Sequence, residues 1–143
     1  SVANIHNWLP EINHDPNGFD PARTVNCGSC ALAVDQRLSG MVPDATAGLG
    51  TLSTPQMEAA TGLVQVPATP AQIEQYLVNQ GPGAHTIVGV DRANGFAGHW
   101  FNAYYDGRNV YAIDGQTGEV LGWPPDMDLP QAPVTNWDMG VRR

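Results

Sequence analysis

The chain has 143 residues, of which 14 are acidic and six basic, a formal net charge of −8, and 42% are hydrophobic. That is the size and apolar content of a folded domain burying about two thirds of its unfolded surface, and the acidity argues against nucleic acid and anionic membranes while favouring a basic partner. All six basic residues are arginines, so lysine-nucleophile and Schiff-base chemistry are excluded.

No apolar run approaches the roughly 18 residues of a membrane helix, and residues 1–4 show neither a basic nor an apolar leader pattern. The expectation is a soluble domain belonging to a larger protein. Residues 1–25, broken by Pro10, Pro16, Gly18 and Pro21, predict an irregular arm anchored by Trp8, Leu9 and Ile12. Asn26 predicts the N-cap of a helix with Cys27, Ala31, Val34 and Leu38 on one face and Gly40 as its stop. Residues 41–68 predict loop, relieved by one short helix from 54 to 61. Thr69-Pro70 opens a helix carrying Ile73, Tyr76 and Leu77 and ending before Gly81.

The β-branched run at 85–90 predicts a strand, 91–95 a turn, and residues 99–105 and 109–113 a hairpin about Asp106-Gly107. Glu119-Val120-Leu121 adds a strand. Four prolines between 122 and 143 predict an extended tail lying on the sheet through Trp123 and Trp137. The sum is one α+β domain over residues 1–143, with a helix packed on an antiparallel sheet.

Both cysteines lie in Asn26-Cys27-Gly28-Ser29-Cys30, where the helix is predicted to begin. A helix N-terminus offers unpaired N–H groups and partial positive charge, which stabilise a thiolate and later an oxyanion. The N–H groups of Cys27 and Gly28 are the expected donors, and Gly28 is expected to let a substrate approach the backbone. His99 begins one hairpin strand and Asp114 ends the other, so the two are expected at the same end and within reach. In that geometry Asp114 orients the imidazole, His99 takes the thiol proton, and Gln116 supplies an amide to the carboxylate or substrate.

Rival readings of the cysteines are a zinc site with two of His6, His14, His85 and His99, which lacks a second close ligand pair, and a thioredoxin-like pair, which wants a strand where the sequence is loop-like. A disulfide closing so small a ring would remove little chain entropy. His6, His14 and His85 have no partner visible in the sequence.

Three stretches, Asn26-Cys27-x-x-Cys30-Ala31-x-Ala33-x-Asp35-x-x-Leu38-x-Gly40, Gly98-His99-Trp100-Phe101-Asn102-Ala103 and Ile113-Asp114-Gly115-Gln116-Thr117-Gly118, together resemble the papain-fold toxins known as glutamine deamidase domains. The resemblance implies a papain-like cysteine-hydrolase core with Cys27 as nucleophile, His99 as base and Asp114 as orienting carboxylate. Gly28, Trp100 and Gln116 would support substrate or oxyanion, with no metal and no cofactor. Cys30 is the alternative nucleophile, because Cys-Gly-Ser-Cys also looks like the papain stretch whose second cysteine reacts; position in the helix favours Cys27, next to the cap. Attack on a side-chain carboxamide would give a thioester and then a glutamate. The resemblance further implies a bacterial effector, secreted or delivered into a target cell as the C-terminal domain of a larger protein, with a glutamine-bearing target protein and a cognate immunity protein as partners. A protease or transglutaminase using the same residues, and a non-catalytic binding module with a structural Cys-x-x-Cys, are the alternatives.

Overall fold

Helix limits follow capping chemistry. The computed structural model describes residues 1–18 and 20–143, and among them run the helices α1 (Val2–Trp8), α2 (Cys27–Ser39), α3 (Thr54–Thr61) and α4 (Pro70–Gln80). Both α3 and α4 begin with reciprocal capping boxes, Ser53 with Gln56 and Thr69 with Gln72, followed by a proline that needs no N–H partner there. Gly40 and Gly62 close α2 and α3 in the left-handed conformation that a side chain would disfavour.

Six strands among the described residues form one sheet: β1 (Leu63–Pro67), β2 (His85–Arg92), β3 (His99–Tyr105), β4 (Val110–Asp114), β5 (Glu119–Gly122) and β6 (Val134–Arg142). Their order is β1-β6-β2-β3-β4-β5 and every neighbouring pair is antiparallel. This is the mixed helix and antiparallel-sheet architecture expected of a papain-like domain. No helix among the described residues is long and apolar enough to cross a membrane.

Three expectations need correction. The N-terminal arm is irregular only in part: Ser1 caps α1, and a 3-10 turn at Leu9–Glu11 follows, while Leu9 and Ile12 are buried and Trp8 partly so. Residues 63–67, expected as loop, are an edge strand. The C-terminal segment is an extended tail only in part: Trp123 and Trp137 do pack against the sheet's core beside Phe101, but the last stretch is β6, inside the sheet between β1 and β2. The proline-rich part precedes that strand, so every β6 N–H remains available for the ladders on either side.

Alternation divides the core between the two faces. Phe101 and Ala103 of β3 pack with Val88, Val90, Val110 and Ala112 beneath Ile73 and Leu77 of α4, with Trp123 and Trp137 at the margin. Tyr104 and Ile113 point the other way, to Cys30, Ala33 and Val34 of α2 and to Ile5, Leu9 and Ile12 of the arm. Helix α2 is therefore fixed to the sheet along its length, and its first turn is held at one end of β3. A chain ending at Pro133 would leave β1 without its ladder and open the edge of β2. We expect it to show no cooperative thermal transition by circular dichroism, whereas a full-amplitude transition at the wild-type midpoint would contradict this role for β6.

Candidate active site

Register explains why His99 and Asp114 meet. Asn102 pairs with Ile113, so one further step sets Phe101 level with Asp114 and places His99 one same-face step beyond it. Such diagonal neighbours are within reach of long side chains. His99 Nε2 lies 2.7 Å from Asp114 Oδ2, and the imidazole stacks on Phe101 at 6.0 Å. Asp114 is 4% exposed, and its other oxygen accepts the backbone N–H groups of Gln116, at 3.0 Å, and Thr117, at 3.3 Å.

Strand β3 outruns β4 by His99 and Trp100, and Cys27 opens α2 at that overhang. With Nε2 given to Asp114, Nδ1 remains for the thiol. When ionised, Cys27 Sγ accepts from the His99 ring and from the backbone N–H groups of Trp100 and Gly28. Burial alone would raise the Cys27 thiol; these donors and the nearby imidazolium outweigh it and bring the thiol below its ordinary value. Burial likewise depresses His99, yet its hydrogen bonds to Asp114 and Cys27 push it up to about 9. The two shifts favour a thiolate–imidazolium pair, which exists above the lowered thiol value and below about pH 9.

Cys30 is a different thiol. It is 1% exposed in the core cluster, and burial with the charges of Asp114 and Cys27 pushes it up to about 12. Gly115 makes this proximity possible, since a Cβ there would come 3.2 Å from Cys30 Cβ and 3.0 Å from Val34.

Several expected roles are altered by the structure. Asn26 stands at the N-cap position of α2 but makes no capping bond; fully buried, its amide donates to Asn13 Oδ1 and Gly48 O, each at 2.9 Å. Gln116 steadies Asp114 through its backbone, while its side chain turns to Asn26 Oδ1 at 3.5 Å. The space beside Gly28 is taken by the protein itself, for a Cβ there would come 2.9 Å from Leu52 Cβ and 3.2 Å from the Trp100 ring. Trp100, expected to support substrate or oxyanion, sets its backbone N–H beside the sulfur, where it is free for that role because β3 overhangs β4. Asn102, fully buried, donates to Ala31 O at 3.0 Å and ties β3 to α2. His85, without a visible partner in the sequence, lies with Nδ1 3.3 Å from Asp35 Oδ1. Among the described residues no three His, Cys, Asp or Glu side chains are grouped to hold a metal ion.

Cys27 and His99 line a cleft of about 290 Å³. One wall is the loop 48–53, laced to α2 and β3 by Ser29 Oγ on Gly50 O at 2.5 Å and Trp100 Nε1 on Leu52 O at 3.0 Å. The other includes Gly89, Asp91 and Asp138. Neither acidic residue was singled out by sequence, although Asp138 sits between Trp137 and Met139 in an alternating run that marks a strand.

A buried His–Asp pair thus lies beside the cysteine that opens α2. Residues 25–119 match the family described as papain fold toxin 1, glutamine deamidase, so the chain belongs to that family. No curated protein and no solved structure matches the chain.

Iodoacetamide at pH 7 is expected to modify Cys27 and spare Cys30. An ordinary thiol is only a few per cent ionised there, so His99→Asn should slow Cys27 alkylation by about tenfold or more. Peptide mapping by mass spectrometry checks both, and dominant labelling of Cys30 would overturn the assignment.

Proposed function

We propose that this toxin-family domain deamidates a glutamine side chain of a protein through Cys27, His99 and Asp114. The single observation that carries the reading is the continuous line from Cys27 Sγ through the His99 ring to Asp114 Oδ2 at 2.7 Å, opening on a cleft. The thiolate attacks the carboxamide carbon, forming a C–S bond and a tetrahedral oxyanion. The Gly28 and Trp100 N–H groups beside the sulfur are the donors nearest that charge. As the C–N bond breaks, the His99 imidazolium gives its proton to nitrogen, which leaves as ammonia. Water then attacks the thioester with His99, now neutral, as base, releasing glutamate and regenerating the thiolate. Asp114 holds the ring in the orientation both half-reactions require and stabilises its charged form.

The same reading makes the chain the delivered portion of a larger bacterial protein that acts inside a target cell and is neutralised in the producer by an immunity protein. Its substrate is a target protein carrying the modified glutamine, and the chemistry requires neither nucleic acid nor membrane, metal nor cofactor.

Incubating candidate target proteins with the domain should add about one dalton per modified glutamine and release ammonia. Cys27→Ala should abolish both, and Asp114→Asn should lower the rate on the order of 10²-fold or more. Cleavage of the target, or amine incorporation in place of the one-dalton gain, would instead make the domain a protease or a transglutaminase. The acylation rate should rise with pH through the lowered Cys27 value, hold a plateau, and fall above about pH 9 as His99 loses the proton the leaving nitrogen needs. A stopped-rate pH profile of ammonia release checks this.

A further inference from the structure

The cleft extends past the nucleophile. The Trp100 indole forms its floor: a Cβ on Gly28 would come 3.2 Å from indole Cδ1, and at the far edge a Cβ on Gly89 would come 3.1 Å from Cζ3. That same point on Gly89 is 2.8 Å from Asp138 Oδ1 and 3.0 Å from Oδ2. The indole thus spans from the first turn of α2 to the Asp138 carboxylate. Gly89, lacking a side chain, leaves the junction of ring and carboxylate unobstructed.

Asp138 is half-buried and held in place, with Gln65 Nε2 donating to Oδ1 at 2.7 Å and the Gly89 N–H also donating to it. Among the described residues no arginine or histidine is ion-paired with it or with Asp91. Burial and the charges of Asp91 and Glu58 raise Asp138 above the usual carboxylate range, with the Gln65 and Gly89 donors opposing. An approaching cation would relieve that repulsion. Asp91 and Asp138 also line a second hollow, which continues toward Ala68, Thr69 and Gln72, so the groove has room for chain on the far side of the carboxylates. Asp138 lies in β6, outside the residues 25–119 that match the family.

An aromatic ring beside a fixed carboxylate is the chemistry that receives a guanidinium or ammonium group. We propose that Asp138, flanked by Trp100 and Asp91, forms a subsite for an arginine or lysine of the target protein two or three residues from the modified glutamine. The spacing follows from the indole: its length plus a contact at each end is roughly 10 Å, about three residues of extended chain at ~3.3 Å each. The subsite rests on the deamidase reading and adds to it the substrate class, a glutamine in a basic segment.

Binding separates the two. Glutamine-centred peptides carrying Arg at −3, −2, +2 or +3, each with an Ala counterpart, are titrated calorimetrically into Cys27→Ala, which cannot turn them over. At one position or more, Arg should tighten binding about three- to tenfold at low salt, Glu at that position should weaken it, and Asp138→Asn in the same background should equalise the Arg and Ala peptides. Equal binding of Arg and Ala peptides at all four positions, or an Arg advantage surviving in Asp138→Asn, overturns the subsite. Should Asp138→Asn fail to fold, Asp91→Asn must reduce the Arg advantage, and an undiminished advantage there overturns the subsite equally. Mass spectrometry of the same peptides with the wild-type domain then distinguishes the failures. Asp138-dependent binding without the one-dalton gain refutes deamidation alone, and the gain without Arg preference refutes the subsite alone.

Discussion

The hydrogen bond between His99 Nε2 and Asp114 Oδ2 is the interaction on which the rest of the site depends. A carboxylate 4% exposed is costly unless hydrogen-bonded and charge-compensated. Two turn N–H groups and the imidazolium meet both needs. The imidazolium is in turn what keeps the half-buried Cys27 thiol ionised against its own desolvation. Removing one member leaves the others as uncompensated buried groups, so the three form one electrostatic unit and not three independent residues.

The fold delivers this unit by ending strands at different lengths. Because β4 stops at Asp114 while β3, still paired with β2, continues back to His99, a ring and a backbone N–H extend past the end of β4 where α2 begins. The helix supplies its N-terminal field and the Gly28 N–H; the overhang supplies the imidazole and the Trp100 N–H. Behind them Asn13, Asn26 and Gln116 form a partly buried amide network joining the arm, α2 and the β4–β5 turn. The spacing of Cys27 from His99 is thereby set by several covalently distant segments at once.

Much of this was legible in residue order. Capping and turn chemistry located α2, α3 and α4, and β-branched and aromatic runs set between turn signals located β2 to β5, because local interactions dominate there. His99 and Asp114 could be placed at one hairpin end from chain positions alone. What escaped was determined by distant partners. Strand β1 pairs with β6, and β6 enters the sheet from the opposite end of the sequence, so neither has a local turn to announce it. Asn26 looked like a cap because its residue type and position fit, but once it was buried, Asn13 Oδ1 and Gly48 O took its amide protons. Helix position already favoured Cys27 over Cys30, and the seating of α2 gives the physical reason: one faces the cleft, and the other faces Gly115 and the core.

In the proposed reading, Cys27, His99 and Asp114 carry out the chemistry for which the family is described, and the proposed subsite at Asp138 gives it a direction along the substrate chain. Catalysis by this site requires a charged pair in the resting protein, and ¹⁵N NMR of the His99 ring as a function of pH measures it most directly. Both ring nitrogens should be protonated at pH 7, with a proton lost near pH 9 and that titration shifted downward in Cys27→Ala. A neutral ring at pH 7 that titrates near the ordinary histidine value of about 6.5 and is indifferent to Cys27 would contradict it.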